Sequence, residues 1–287
     1  MIWREATQGV GITQALELTP VHSVTSPFQT IEVFDHSLFG RVLTLDGTVQ
    51  ASQADEFVYH ELAVHVPLCA RPAARRVLII GGGDGGILRE VLRHPQVCEL
   101  VMVEIDRQVV EVSNAFLGIQ GDVTDPRVSL LFADGVAYLA ESARNGRQFD
   151  LIVIDATDST SPSKTLWNSS FYASVAACLA PHGVCVDSDI LTPGRPALHL
   201  SRDPCEVSPF DLLQAGQPFA GVECFFTKVP LYPGGYFAFF LYTKDAESCR
   251  EPRLQRSGRY YTPSMHRAAF ALPTWWRRRL DQLRGSR

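Results

Sequence analysis

Two carboxylates near the middle of the chain have the residue types and spacing for acid–base chemistry on an amine. Asp155 directly follows the apolar segment Leu151–Ile154, and Asp158 comes three residues later among small and polar residues. Carboxylates at the end of one strand can hold a cationic amine and accept a proton from it. Asp158 taken alone is equally well explained as a helix cap, whereas we assign a function to Asp155.

A glycine-rich segment with one acidic residue offers a second kind of chemistry. Gly81–Gly86 contains five glycines and Asp84, follows an apolar segment and precedes a helical pattern. Backbone of this kind can approach a ligand closely, and a helix that begins there presents free N–H groups. Glu104 and Asp106 follow about 20 residues later, where an acidic side chain typically accepts the two ribose hydroxyls of an adenosine. The combination predicts nucleoside binding, although the glycines alone would fit a simple tight turn.

Nicotinamide cofactors fit this segment poorly. The glycine spacing is not G-x-G-x-x-G, and the charge of Asp84 would repel a pyrophosphate. A further polar contact, to an adenine edge, could come from Asp134 and Gly135, which follow the next apolar segment. An Asp-Gly pair is usually only a turn, so the interest of this pair lies in its position.

These residues need a scaffold that brings the ends of several strands together. Apolar segments alternate with helical patterns in the middle of the chain, and strands are predicted at Arg76–Ile80, Leu100–Glu104, Val128–Leu131 and Leu151–Ile154. Near-continuous apolar strands between helices indicate a parallel sheet covered on both faces. We therefore predict an α/β fold with a doubly wound, Rossmann-like sheet whose carboxyl edge carries the acidic residues.

Smaller elements flank this sheet. Short strand-like segments between residues 26 and 50, separated by turn signals, indicate a small antiparallel β unit. A helix follows from Glu56 to Pro67, where the proline closes it. A final β pair is predicted at Val222–Pro230 and Gly235–Thr243. The predicted domains are an N-terminal β domain with its linking helix at 1–68, a Rossmann-like catalytic domain at 69–250 and a C-terminal tail at 251–287.

Composition narrows the function classes. Hydrophobic residues make up 46% and charged residues 20% of the 287 residues, which indicates an ordered globular protein. A net charge of -5 argues against a nucleic-acid binder, and no apolar stretch approaches the length that spans a bilayer. The basic run Arg277–Arg279 suits a helix end, with an RNA or membrane-surface contact as the minor alternative. Seven cysteines without a C-x-x-C pair predict neither a disulfide framework nor a zinc site, so we expect a cytoplasmic location.

The order of the motifs resembles that of the spermidine synthase family. The resemblance covers roughly residues 26–190 and 222–273, and it rests on Leu45–Gly47 with Gln50, Asp55–Glu61, Gly81–Gly86 with Leu88–Glu90, Val103–Asp106, Asp155–Asp158, Pro230–Gly235, Arg259–Pro263 and Ala268–Pro273. It implies an aminopropyltransferase that takes decarboxylated S-adenosylmethionine as co-substrate and putrescine as acceptor, giving spermidine and 5′-methylthioadenosine. No metal or other cofactor is implied. Family members are generally dimers or tetramers, so we expect a homodimer or homotetramer.

The resemblance also implies roles for individual positions. The residues that hold decarboxylated S-adenosylmethionine in the family match Gln29, Asp84, Glu104, Asp134 and Gly135. The residues that surround the amines match Tyr59, His60, Asp158, Pro162 and Tyr232. The position of Asp155 is the base.

The residue types suit that reaction. The co-substrate ends in an ammonium where S-adenosylmethionine has an added carboxylate, so Asp84 would attract the first and repel the second. The attacked carbon is attached to a sulfonium, a good leaving group, but a protonated amine has no lone pair with which to attack. Asp155 would therefore accept a proton, while Tyr59 or Tyr232 orients the nitrogen. Taken alone, either tyrosine would be an ordinary core aromatic and His60 a structural histidine.

Two segments depart from the family pattern. Asp158 is followed by Ser159-Thr160-Ser161-Pro162 where the family usually continues with Pro and then Gly-Pro, and the loss of one proline and one glycine changes the stiffness of a loop expected to close over the site. Asp187-Ser188-Asp189 stands where the family often has a glutamine. Its carboxylates would either favour a longer or more highly charged polyamine or face solvent.

Three alternatives to spermidine synthesis stay open on the sequence. The acceptor could be cadaverine, agmatine or spermidine, the chain could bind the nucleoside without turnover, or it could be an S-adenosylmethionine methyltransferase on the same fold. Asp84 and the segment Tyr59-His60-Glu61 argue against the methyltransferase. Asp155 and the two tyrosines argue for turnover.

Overall fold

The computed structural model describes residues 1–5, 13–156, 166, 168–191, 219–232 and 236–278. Within these ranges the strands form sheets of two, four and seven strands. The helices are α1 (Glu56–Ala70), α2 (Gly86–Leu92), α3 (Arg107–Phe116), α4 (Gly135–Arg144), α5 (Ser169–Cys178) and α6 (Pro263–Ala269).

The N-terminal region is an antiparallel β unit, as the turn signals predict. Its strands are β1 (Ile2–Arg4), β2 (Ala15–Glu17), β3 (Thr19–Thr25), β4 (Thr30–His36), β5 (Gly40–Leu45) and β6 (Thr48–Ser52). β1 pairs with β2, and β3 to β6 form a meander in which each strand pairs with the next. Asp46 and Gly47 join β5 to β6 with φ of 48° and 72°, as a type I′ turn requires. The sequence prediction missed β1, β2 and β3, since these strands are short or weakly alternating.

The seven-stranded sheet confirms the doubly wound α/β prediction. Its strands are β7 (Arg76–Gly81), β8 (Glu99–Glu104), β9 (Val128–Phe132), β10 (Phe149–Asp155), β11 (Leu179–Leu191), β12 (Gly221–Thr227) and β13 (Tyr236–Thr243). The order is β12-β13-β11-β10-β7-β8-β9. The strands from β11 to β9 are parallel, whereas β13 runs antiparallel to both β11 and β12. The strand order reverses at β7, which places a ligand crevice beyond the carboxyl ends of β7 and β10.

Both faces of this sheet are covered, and β10 shows how. Leu151 and Val153 face a core cluster that includes α1 and α2, while Ile152 and Ile154 face a second cluster that includes α5. Side chains alternate between the faces of a strand, so an apolar residue at every position is the pattern of a strand buried on both sides. No helix among the described residues is long and apolar enough to cross a membrane.

Helix α1 is longer than the sequence indicates. The prediction that Pro67 closes the helix is wrong, because α1 continues to Ala70 and Pro67 lies inside it. The carbonyl of Pro67 accepts a hydrogen bond of 2.9 Å from the N–H of Arg71, so the last turn is intact. Every residue of α1 except Phe57 is buried, and this packing outweighs the hydrogen bond that a proline removes.

The segment predicted as a C-terminal tail packs against α1. The carboxylate of Glu61 accepts hydrogen bonds of 2.7, 2.8 and 2.7 Å from the backbone N–H groups of Arg259, Tyr260 and Tyr261. Further along, Trp276 is fully buried. Of the basic run, Arg279 lies outside the described residues.

Candidate active site

The carboxyl ends of β7 and β10 form the centre of the candidate site. Asp155 pairs with Gly81 in the strand register, and the N–H of Gly82 donates a hydrogen bond of 2.8 Å to the carbonyl of Asp155. Gly81 has a φ of 84°, and a Cβ there would lie 2.1 Å from that carbonyl oxygen. Only glycine fits at this position, so the glycine-rich segment can lie directly against the end of β10.

Asp155 is held by an aromatic side chain from α1. The hydroxyl of Tyr59 donates a hydrogen bond of 2.6 Å to Oδ1 of Asp155. The ring of Tyr59 packs on β13, 5.0 Å from the ring of Phe237 and 5.4 Å from that of Phe239. Burial, followed by the neighbouring charge of Asp84, raises the pKa of Asp155 to about 6. A carboxylate with a pKa near neutrality is well placed to act as a general base.

His60, also on α1, bridges two carboxylates. Its Nδ1 lies 2.5 Å from Oε2 of Glu56, and its Nε2 lies 3.2 Å from Oδ2 of Asp84. Burial by itself would lower the pKa of His60, but the charges of Asp84 and then Glu56 outweigh it and raise the pKa to about 10. The ring is therefore an imidazolium whose two N–H groups both donate within the protein.

Asp84 stands between this imidazolium and the crevice. Its Oδ1 accepts a hydrogen bond of 2.8 Å from the N–H of Gly86, and its side chain is 13% exposed. Burial would raise the pKa of Asp84, but the charge of His60 outweighs it, so the pKa falls and the carboxylate stays ionised. Ligand atoms of His60, Asp84 and Asp155 lie within 4.8 Å of one another. Of these three groups, the carboxylates of Asp84 and Asp155 can attract a cation, whereas the imidazolium of His60 has no free lone pair to offer.

The side of the crevice that is predicted to hold a nucleoside is formed at the end of β8. Oε1 of Glu104 accepts a hydrogen bond of 2.9 Å from the N–H of Asp106. Burial raises the pKa of Glu104 to about 7. A Cβ at Gly83 would lie 2.9 Å from Oε2 of Glu104, so the glycine backbone and this carboxylate are adjacent. The juxtaposition that the sequence predicts, an acidic side chain beside the glycine-rich backbone, is present.

Gln29 reaches this region from the N-terminal β unit. Its Nε2 donates a hydrogen bond of 3.1 Å to Oδ2 of Asp106, which also accepts one of 2.6 Å from the hydroxyl of Ser26. Asp106 caps α3 through a bond of 3.0 Å from the N–H of Gln108. The turn between β3 and β4 thus contributes a side chain next to the predicted nucleoside site.

Asp134 and Gly135 follow the next strand, β9, as predicted. Asp134 caps α4, with its Oδ1 accepting bonds of 2.8 and 3.3 Å from the N–H groups of Val136 and Ala137. A Cβ at Gly135 would lie 2.6 Å from the side chain of Ile80. Capping a helix is an ordinary structural role for an Asp at a turn, and it is the alternative to a role in binding. Asp134 and Gly135 nevertheless lie at the carboxyl edge of the seven-stranded sheet.

Tyr232, predicted to contact the amine, has a hydroxyl that already forms a hydrogen bond. It donates to the backbone carbonyl of Gln50, and its ring lies 5.3 Å from that of Phe237. The N–H of Leu231 donates a bond of 2.8 Å to Oδ2 of Asp55. The hydroxyl of Tyr232 thus has an acceptor on the backbone of β6.

Some residues that the sequence predicts near the site lie outside the described residues or away from the crevice. Asp158, Pro162 and the Ser159–Ser161 loop lie outside the described residues, as does the side chain of Asp189. Asp187 is 1% exposed and accepts a hydrogen bond from the hydroxyl of Tyr172 on α5, the face of the sheet opposite Tyr59. It therefore does not face solvent, and it does not point toward the crevice.

Sequence reasoning did not assign roles to Glu56 and Arg89. Both stand in quoted motifs, and Glu56 precedes His60 by four residues, a spacing that puts two side chains on the same face of a helix. Nη1 and Nη2 of Arg89 donate bonds of 3.1 and 2.9 Å to the carboxylate of Glu56. The helical spacing was the available signal for the Glu56–His60 pair, whereas no local sequence pattern indicates the Glu56–Arg89 pair.

Comparisons with known proteins agree with this geometry. Residues 56–252 match the family described as Spermine/spermidine synthase domain, and residues 2–53 match the one described as Spermidine synthase tetramerisation domain. The chain is 37% identical over 265 residues to a polyamine aminopropyltransferase of Desulforudis audaxviator, covering 88% of this chain and 89% of that protein. It is 36% identical over 274 residues to the polyamine aminopropyltransferase of Bacillus subtilis, covering 93% and 94%.

A solved structure extends the agreement to the whole fold. A crystal structure of spermidine synthase in complex with the transition state analogue AdoDATO superposes with a TM-score of 0.86 at 27% identity, covering 98% of this chain and 95% of that one. Fold, site and matches together define an enzyme of the aminopropyltransferase class, as predicted. The chain belongs to the spermine/spermidine synthase family.

Proposed function

We propose that this chain transfers the aminopropyl group of decarboxylated S-adenosylmethionine to putrescine, giving spermidine and 5′-methylthioadenosine. The observation that carries the proposal is the hydrogen bond from Tyr59 to Asp155 in a crevice that also holds the Asp84–His60 pair. A half-buried carboxylate with a pKa of about 6 can take a proton from an amine near neutral pH. The proposal includes no metal or other cofactor.

The transfer step is a displacement at carbon. The neutral amine nitrogen forms a bond to the aminopropyl carbon attached to the sulfonium, the C–S bond breaks, and the sulfur leaves as a neutral thioether. The proton that the attacking amine must give up passes to Asp155. The hydroxyl of Tyr59 stays protonated, because burial raises its pKa well above the usual value, so it serves as a donor that fixes Asp155.

We assign the ammonium of the co-substrate to Asp84 and its ribose to Glu104. Asp84 is ionised and partly exposed, so it attracts an ammonium and repels the carboxylate of ordinary S-adenosylmethionine. Glu104 lies beside the glycine backbone of Gly83, where a nucleoside can approach closely. The match of residues 2–53 supports an oligomer, which we propose to be a homodimer or homotetramer. A cytoplasmic location stays part of the proposal.

The test is a direct assay of product. The purified chain is incubated with decarboxylated S-adenosylmethionine and, one at a time, putrescine, cadaverine, agmatine and spermidine, and the products are identified by mass spectrometry. We expect spermidine and 5′-methylthioadenosine from putrescine, and their loss in Asp155→Asn. Asp150→Asn is the matched control, because Asp150 lies at the opposite end of the same strand, where it accepts hydrogen bonds from the backbone N–H groups of Arg75 and Arg76.

The outcomes separate the alternatives. Product from another amine only would keep the mechanism and change the acceptor. No product with any amine, together with measurable binding of 5′-methylthioadenosine by calorimetry, would refute the catalytic proposal and favour a nucleoside-binding protein without turnover. A methylated product from S-adenosylmethionine would identify a methyltransferase instead.

A further inference from the structure

Glu56 is a buried carboxylate for which the transfer step itself has no use. Its side chain is only 2% exposed, and burial of a charge is unfavourable unless charged partners surround it. Glu56 has two such partners, Nδ1 of His60 at 2.5 Å and the guanidinium of Arg89, whose nitrogens donate to both carboxylate oxygens. Nη1 of Arg89 also donates a bond of 2.6 Å to the carbonyl of Ile119. The guanidinium of Arg89 is therefore itself held in place by a backbone carbonyl.

His60 has one orientation in this environment. Glu56 takes its Nδ1 and Asp84 takes its Nε2, so neither ring nitrogen is left for another partner. The N-terminal turn of α2 packs directly on the ring, since a Cβ at Gly86 would lie 2.2 Å from it. On its own helix the ring of Tyr59 lies edge-on at 5.1 Å.

The charge of His60 bears on both carboxylates of the crevice. It lowers the pKa of Asp84, to which it is bonded, and also that of Asp155, whereas the charge of Asp84 raises the pKa of Asp155. If His60 were neutral, the two carboxylates of the crevice would lose the cation that lies against Asp84, and one of them would tend to hold a proton.

We propose that Glu56 is a positioning residue for the reaction: clamped by Arg89, it keeps His60 protonated and oriented, so that both Asp84 and Asp155 remain ionised for their cationic substrates. Glu56 touches neither crevice carboxylate and acts only through His60. The part of the inference that concerns turnover rests on the proposed function. The part that concerns His60 does not.

The first experiment measures His60 itself and needs no substrate. Histidine labelled with nitrogen-15 is incorporated, the signal of His60 among the eight histidines is assigned from His60→Gln, and the ring nitrogens are titrated by NMR. Glu56→Gln keeps an acceptor for Nδ1 and removes only the charge. We expect the pKa of His60 to fall by about 1–3 units in this variant.

Glu90→Gln is the matched control. Glu90 is equally buried and also binds Arg89, through a bond of 2.8 Å from Nε, but its other partners are Arg93 and His65 rather than His60. A merely structural loss would affect both variants alike, whereas the proposal requires the titration of His60 to move in Glu56→Gln alone. An unchanged titration in folded Glu56→Gln would overturn the proposal. If that variant does not fold, the unsubstituted protein still decides, since a His60 that titrates at or below its ordinary pKa contradicts the proposal.

The second experiment measures kinetics. We expect Glu56→Gln to raise KM for decarboxylated S-adenosylmethionine and to lower kcat/KM as the pH rises through the reduced pKa of His60, with recovery in Glu56→Asp. At acidic pH, where His60 keeps its proton, the variant should approach the unsubstituted protein. A uniform fall in kcat with an unshifted profile would contradict the role of Glu56. Absence of turnover in the unsubstituted protein would refute the proposed function while leaving the His60 titration to be judged separately.

Discussion

Replacing Tyr59 by phenylalanine gives the sharpest test of how the proposed base is tuned. The substitution removes the donor that lies 2.6 Å from Oδ1 of Asp155 and keeps the ring that packs on Phe237 and Phe239. The hydrogen bond favours the ionised form of Asp155 and lowers its pKa. Tyr59→Phe should therefore raise the pKa of the proposed base.

The size of the effect follows from the strength of that bond. A hydrogen bond to a charged group contributes about 1.5–3 kcal/mol, and one pKa unit corresponds to about 1.4 kcal/mol. The pKa of Asp155 should thus rise by about 1–2 units from about 6. A rise of about 1.5 units lowers the ionised fraction roughly fifteenfold near about pH 6 and by less than about 1.2-fold near about pH 8.5.

The assay is the ratio of kcat/KM for the variant to that of the unsubstituted enzyme, measured at each pH, because the titration of the amine substrate cancels in this ratio. Tyr172→Phe is the matched control, since it removes a hydroxyl from another buried tyrosine–aspartate pair, with Asp187, on the opposite face of the sheet. Its ratio should not vary with pH. A ratio for Tyr59→Phe that is equally low at every pH would refute the reasoning and leave Tyr59 with an orienting role only.

Three further predictions concern positions around the site. Glu61→Ala leaves three backbone N–H groups without their acceptor and should lower the free energy of unfolding by roughly 3–5 kcal/mol, measured by urea denaturation against the exposed control Glu111→Ala. Gly86→Ala puts a Cβ 2.2 Å from the ring of His60 and should weaken both turnover and, by calorimetry, nucleoside binding. Burial lowers the pKa of His94 from 6.5 to about 2, so the unfolded chain gains a proton that the folded chain lacks as pH falls below 6.5. The folded state therefore loses stability as the pH falls below 6.5. His94→Gln should reduce the slope of the free energy of unfolding against pH in that range by up to about 1.4 kcal/mol per pH unit.

The sequence was sufficient to locate the carboxyl edge of the sheet. Apolar strands that alternate with helices dictate a parallel core, and parallel strands bring residues such as Asp84, Glu104 and Asp155 to one edge whatever the details of packing. The place of the glycine-rich segment was predictable for the same reason, because a segment that joins a parallel strand to the following helix lies at this edge.

Contacts between elements distant in sequence were not predictable. The sequence placed His60 beside the amines, but it could not show that Asp84, from a different element, takes Nε2. For Asp187 it could not decide the face of the strand, since a shift of one residue in register moves a side chain to the other face of the sheet. Pro67 was misread because the rule that proline ends a helix is local, whereas the burial of α1 is a property of the whole fold.

The burial of α1 also explains why this helix supplies several residues of the candidate site. A helix that is enclosed on nearly all sides has no solvent-facing positions on which to place charged residues, so each ionised side chain requires a partner from another element. Glu56 has Arg89 of α2, His60 has Asp84, and Glu61 has the backbone of the C-terminal segment. Each pairing fixes a different element relative to Tyr59 on the same helix. The charged residues of α1 therefore hold the glycine-rich segment and the C-terminal segment in register with the proposed base, and a change in any one of them should disturb geometry as well as stability.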